Sequence, residues 1–190
     1  MDQTSMDLMK EVVDKYELQD KTVVDIGSYD VNGTYRSLFS GKYIGADIIP
    51  GPNVDVLMGS IMWGFIGNVD AVISGQTLEH VADIPALMRE IQRVLKPGGI
   101  LCIIAPSEGP AHDYPIWVGN FPEERMREVV NAGGFEILSC TVSDVLPWRL
   151  TTCVARKSMT HNGFYKEMFN KNAMSIKEIS EREKEEYEDQ

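Results

Sequence analysis

The sequence is short of positive charge, histidine and cysteine, and it has no long apolar run. Lys and Arg number 18 against 29 Asp and Glu, for a formal net charge of −11. Such a deficit argues against a broad nucleic-acid surface, because phosphate binding is driven mainly by Lys and Arg. No uninterrupted apolar stretch approaches the ~20 residues of a membrane span, so no membrane partner is expected. The opening segment MDQTSMDLMKEVVDKYELQD is acidic and amphipathic, without the basic start or apolar run of a secretory signal, and a cytoplasmic location is expected. The 3 cysteines, Cys102, Cys140 and Cys153, each sit in an apolar, strand-like context. Buried, reduced thiols follow from that setting, and no metal is expected. No internal repeat or low-complexity linker divides the 190 residues, which are one domain's worth.

What is present is an alternation of short buried strands and amphipathic helices. Over residues 6–16, Met6, Met9, Val12, Val13 and Tyr16 share a face at helical spacing, so a leading helix is predicted within residues 1–20. TVVDIG reads as a buried strand stopped by glycine, followed by the turn chemistry of SYDVNG and a short helix over 34–39. YIGADI, VDVLMG and DAVISGQ read as three further strands. Asp83 then caps a helix with Pro85 in its first turn and Leu87, Ile91, Val94 and Leu95 on its inner face. LKPGG closes that helix, and ILCIIAP is a fifth strand. A helix over 121–132 starts at Pro122 and stops at Gly133 and Gly134, and FEILSCTVS and LTTCVARK follow as two strands without a helix between them. The predicted class is α/β: a three-layer sandwich with a mostly parallel seven-stranded sheet and a terminal antiparallel pair. Residues 1–157 form this domain. Residues 158–190 are an extension, with an aromatic cluster (Phe164, Tyr165, Phe169) and an acidic end, suited to a lid, a dimer element or a solvated tail.

In an open α/β sheet, ligands bind outside the carboxyl ends of the strands, where strand order reverses. The first strand ends in Asp25, Gly27, Ser28 and Tyr29, and Gly27 lets backbone come close to a ligand. The second ends in Asp47, about 20 residues past the glycine turn, where a carboxylate can accept from both hydroxyls of an adenosine ribose. Together they indicate a nucleoside-containing cofactor.

These segments resemble the class I (Rossmann-like) methyltransferases, especially the methyltransferase type 11 group, over residues 23–157. VVDIG resembles the family's first motif, YIGAD its second, and DAVISGQTLEHV its fourth-strand motif. ALMREIQRVLKPGG followed by ILCIIAP is the most specific match. IGSYDVNG, AHDYP and GFEIL are similar to pieces of sugar- and polysaccharide-associated members. The resemblance implies S-adenosylmethionine as cofactor, S-adenosylhomocysteine as product, and methyl transfer to an O or N nucleophile of a small or saccharide-linked acceptor. It implies that Asp25 and Gly27, with Ser28, shape the loop around the methionine part. Asp47 would bind the ribose, Ile48 would pack on adenine, and Gln76 would face the methionine and the acceptor. Ser60 and Ile61 fall at the adenine, where the family usually has an acidic residue and an apolar neighbour. A second departure lies in the first motif, where Tyr29 and Val31 stand at the second and third glycine places. The loop must then follow a different path, with Tyr29 covering the methionine segment.

Methyl transfer asks little of side chains, since holding donor and acceptor in line can contribute roughly 7–11 kcal/mol. A general base helps when the nucleophile is a hydroxyl, and two of the three histidines qualify. His80, beside Glu79 past the fourth strand, is either that base or a hydrogen-bonding group of its loop. His112 either lines an acceptor pocket with Asp113 and Tyr114 or sits in a surface turn. Of the tryptophans, Trp117 in the long loop after the fifth strand is the best pocket candidate. Two alternatives stand beside the enzyme: a non-catalytic scaffold of the same fold, and a dinucleotide-dependent oxidoreductase. The absence of G-x-G-x-x-G and the terminal strand pair weigh against the latter. A homodimer built through the extension is a further expectation.

Overall fold

The computed structural model describes residues 3–59, 61–112, 116–145 and 149–159, and for Ile61 and Met62 the backbone alone. The first helix, α1, spans Gln3–Lys15 and buries Ser5, Met9, Val12 and Val13. Strands β1 (Val23–Ile26), β2 (Tyr43–Asp47) and β3 (Val56–Leu57) follow, with a 3₁₀ turn at Tyr35–Leu38 between the first two. Next come the short helix α2 (Ile61–Gly64), β4 (Val69–Gly75), α3 (Ile84–Val94), β5 (Leu95–Pro106) and α4 (Glu123–Ala132). Strands β6 (Phe135–Val142) and β7 (Leu150–Lys157) complete the sheet.

Seven strands lie in the order β3-β2-β1-β4-β5-β7-β6. The first five are parallel, and β7 runs antiparallel to both neighbours. Successive side chains of a strand point to opposite faces, which sorts the core into two layers. Val24, Ile26, Val72, Leu101 and Ile103 face Leu87 and Ile91 of α3 and Met126 and Val130 of α4. Val23, Ala71, Ile73, Cys102 and Ile104 face Met9, Val12 and Val13 of α1 and the ring of Tyr35. Strands covered on both faces must be apolar throughout, which is why they read as continuous β-branched runs. The three cysteines are buried and unbridged.

Two local expectations are corrected. LKPGG does more than close a helix: α3 stops at Val94, and Leu95 already pairs with Val69 as the bulged start of β5. Gly98, at φ 78°, supplies the left-handed turn that this bulged entry needs. VDVLMG contributes only two strand residues, because Asp55 is taken up by Arg36 and by the Gly45 amide. The short helix α2 carries no signal in the sequence long enough to predict it. Trp148, Asp113, Tyr114, His161, the Phe164–Tyr165–Phe169 cluster and all of the extension but Ser158 and Met159 lie outside the described residues. Among the described residues no helix is long and apolar enough to cross a membrane.

Candidate active site

Strand order reverses between β1 and β4, since the chain leaves β1 toward β2 and leaves β4 toward β5 on the opposite side. Outside the carboxyl ends of these strands lies a cleft of about 980 Å³. That is at the upper end of the range for small-molecule and cofactor sites. Gly27, Tyr29, Asp47, Ile48, Gln76 and His80 all reach it. Met58, Trp63 and Leu87 form an apolar wall.

The first loop is fastened to the end of β2. The amides of Gly27 and Ser28 both donate to Ala46 O, at 2.9 and 3.2 Å. Tyr29 N–H donates to Asp47 Oδ2 at 3.0 Å, while Asp47 Oδ1 accepts from the amides of Ile48 (2.7 Å) and Ile49 (3.3 Å). Asp47 is thereby held with its carboxylate at the cleft, and Oδ2, with one donor, keeps accepting capacity for a further one. Gly27 sits at φ 79°, and a Cβ there would lie 2.0 Å from Thr77 Oγ1 of the loop after β4. The two switch-point loops therefore touch through a position that only glycine fills. The loop's altered path is also visible: the Tyr29 ring packs on Gly51, so close that a Cβ on Gly51 would meet it at 2.0 Å. Val31, Ile48 and Ile49 stand exposed at this side of the cleft, an apolar flank beside Asp47.

Asp25 and Ser28 do not line the cleft. Ser28 is buried, its Oγ donating to Asn53 O at 3.3 Å. Asp25 is buried below the loop and accepts from the Tyr43 hydroxyl, while its Oδ1 has no partner among the described residues. Asn53 Nδ2 donates to Tyr43 Oη (3.1 Å) and to Ser28 O (2.8 Å), and the Arg36 guanidinium lies 4.4 Å above the Tyr43 ring. Burial pushes the Asp25 carboxyl up to about 7, against the opposing pull of the Tyr43 hydrogen bond, with the Asp47 charge adding to the rise. A carboxyl raised on folding binds its proton more tightly in the native state, so its contribution is full below the unfolded value of about 4 and is lost as pH rises through about 7. Asp25→Asn keeps an acceptor for Tyr43 and removes the charge. Its stability relative to the wild type should therefore improve by a few kcal/mol between pH 4 and pH 8, read by denaturant melts across that range. A pH-independent difference would contradict the buried assignment.

At the other side, Gln76 follows β4 at φ 55°, a left-handed backbone held by its amide hydrogen bond to Ile104 O at 2.9 Å. A 3₁₀ turn, Leu78–His80, follows. His80 Nδ1 lies 2.7 Å from Ile116 O. A carbonyl can only accept, so the proton sits on Nδ1 and Nε2 carries the lone pair. Glu79 is fully buried, and burial pushes its carboxyl up to about 7. The His112 ring stands edge-on to His80 at 5.1 Å and lies against Trp117 at 4.5 Å.

Of the residues singled out in the sequence, Gly27, Tyr29, Asp47, Ile48, Gln76 and His80 converge on one cleft, and His112 reaches its rim through His80. Ile61 opens α2, and Ser60 lies outside the described residues. Sequence reasoning missed Thr77, whose contact with Gly27 comes from a distant loop. It also missed Glu79 as a buried group, although its place beside His80 was plain.

A ribose-bearing cofactor fits these residues: a glycine that lets backbone close in, a fixed carboxylate at the end of β2, and an exposed apolar flank beside it. Residues 39–103 match the family model described as "Methyltransferase domain". No curated protein matches in sequence. The fold is similar to that of the Burkholderia thailandensis 1,6-didemethyltoxoflavin-N1-methyltransferase, solved with 1,6-didemethyltoxoflavin and S-adenosylhomocysteine: TM-score 0.65, 18% identity, 83% of this chain and 80% of that one. It is similar also to the magnesium protoporphyrin IX methyltransferase of Synechocystis PCC 6803 with bound S-adenosylhomocysteine, at TM-score 0.57 and 15% identity over 82% and 83% of the two chains. A third likeness is to a SAM-dependent methyltransferase of Aquifex aeolicus, at TM-score 0.58 and 18% identity over 82% and 98%. The chain thus carries a match to the methyltransferase domain over residues 39–103 and shares the fold of solved S-adenosylmethionine-dependent methyltransferases.

Proposed function

We propose that the chain transfers a methyl group to a proton-bearing oxygen or nitrogen of a small molecule, a saccharide-linked one among the candidates. The observation that carries this reading is His80, which lines the cleft with its Nδ1 tied to Ile116 O, so that Nε2 keeps the lone pair. A fixed imidazole lone pair beside a cofactor cleft suits an acceptor that must shed a proton, for which a thiol, ionising more readily, needs a base less. The rings of His112 and Trp117 beside it offer faces on which a flat or cyclic acceptor can rest.

S-adenosylmethionine supplies a methyl group on a sulfonium cation when bound. Asp47 would accept from the ribose hydroxyls, Ile48 would cover the adenine, and the backbone at Gly27 would close on the chain between them. Gln76, in its constrained backbone, would hold the reacting end. Tyr29 and the apolar wall exclude water, so positioning supplies most of the rate. His80 Nε2 takes the acceptor proton.

His80→Ala should leave S-adenosylhomocysteine affinity within twofold of the wild type and lower turnover by about 10²–10⁴. Calorimetry and release of S-adenosylhomocysteine in the presence of hydroxylated saccharides and small amines measure the two effects. Turnover that survives the substitution would remove His80 from proton transfer. Transfer confined to thiols would remove the proposed acceptor class.

A further inference from the structure

Glu79, His80 and His112 come from two loops and meet beside the cleft. One ligand atom from each lies within 4.8 Å of the others. Glu79 is completely buried, and neither carboxylate oxygen has a hydrogen-bond partner among the described residues. His80 Nε2 stands 4.0 Å from Oε1. A buried carboxyl with two orphaned oxygens is costly unless something at the site satisfies it. His80 is set up in the complementary way. Its Nδ1 proton is spent on the Ile116 carbonyl at 2.7 Å, which fixes the tautomer and leaves the lone pair on Nε2, 4.0 Å from Glu79 Oε1. A ring nitrogen anchored to a backbone carbonyl while the other is presented is the arrangement that metal-binding histidines adopt.

We propose that Glu79, His80 and His112 bind a divalent transition-metal ion, with Zn²⁺ as the favoured species, at the rim of the cofactor cleft. Two imidazoles and one carboxylate make a donor set of borderline softness, suited to Zn²⁺ and leaving coordination positions open. Ligands each about 2.0–2.2 Å from an ion stand at most about 4.4 Å apart, so the cluster must tighten slightly on binding. His112 can provide that movement, because it sits exposed in the loop after β5 whereas Glu79 and His80 are held in their 3₁₀ turn. The spacing of ligands along the chain hides such a site, because no two-histidine motif is present. The ion and the acceptor proton would compete for the His80 Nε2 lone pair, so Zn²⁺ should inhibit the proton transfer proposed above. That last step rests on the proposed methyl transfer, whereas the ion site does not.

The test is calorimetric titration of Zn²⁺ into the full chain after chelator treatment, with Co²⁺ absorption as a second readout and S-adenosylhomocysteine affinity measured in parallel. The wild type should take up one equivalent. Glu79→Gln and His112→Ala should each weaken Zn²⁺ binding at least about tenfold and leave S-adenosylhomocysteine affinity unchanged. The His112 variant carries the result if the buried Glu79 variant does not fold. No saturable Zn²⁺ binding in the wild type, or affinity untouched by His112→Ala, would overturn the site. Either outcome leaves the cofactor reading standing, since S-adenosylhomocysteine binding is read separately.

Discussion

Asp47→Ala should lower the affinity for S-adenosylhomocysteine at least about tenfold, a loss of about 1.4 kcal/mol or more. Two losses combine in that figure. The carboxylate is the charged acceptor available to the ribose hydroxyls, and charge-assisted hydrogen bonds are about twice as strong as neutral ones. It also holds the amides of Tyr29, Ile48 and Ile49, so its removal frees the first loop and the apolar flank together. Asp47→Asn separates the two, since one amide oxygen can still anchor part of the loop, and it should fall between wild type and alanine. Calorimetry on both variants, with circular dichroism to show that they fold, makes the measurement. Unchanged affinity in a folded alanine variant would remove Asp47 from the site.

Gly27→Ala should be the most damaging single change in the cleft. The added Cβ would lie 2.0 Å from Thr77 Oγ1 and 2.7 Å from Thr77 Cβ, so rotating the Thr77 side chain does not clear it. The backbone there is also left-handed, at φ 79°, which costs a non-glycine residue about 1–2 kcal/mol. Overpacking adds about 1–3 kcal/mol. A loss of roughly 2–5 kcal/mol is expected, with a fall in Tm on the order of 5–15 °C. Cofactor binding should weaken as well, because the loops after β1 and β4 would be forced apart. Combining Gly27→Ala with Thr77→Gly removes the clash and keeps the strain, so it should recover part of the stability and not all of it. A Gly27→Ala protein that melts with the wild type would mean that the loops do not touch at this point.

The sheet was legible because its signals are local. Continuous apolar runs such as VVDI and DAVISG mark strands covered on both faces, and a missing helix between FEILSCTV and LTTCVARK can only mean an antiparallel pair. LKPGG was harder, because the same residues end α3 and begin β5, and only the pairing of Leu95 with Val69 shows the second role. In the site, Gly27 and Asp47 were readable from their spacing. The position of Asp25 was not. Its burial depends on Tyr43 from the neighbouring strand and on Asn53 from the loop beyond, neither adjacent to it in sequence. The meeting of His80 with His112 is non-local in the same way, set by two loops that only the sheet brings together. Tyr29 was visible as a departure from a glycine pattern, yet its seat against Gly51 required the β2–β3 loop to be in place.

Calorimetric titration of the full chain with S-adenosylmethionine, S-adenosylhomocysteine and NAD tests the central claim most directly. Both sulfur nucleosides should bind with one-to-one stoichiometry at the cleft between the ends of β1 and β4, and NAD should give no saturable heat. Binding of NAD in place of S-adenosylhomocysteine would contradict the account by making the cleft a dinucleotide site. Absence of binding by any of the three would contradict it by leaving a scaffold with a methyltransferase fold and no cofactor.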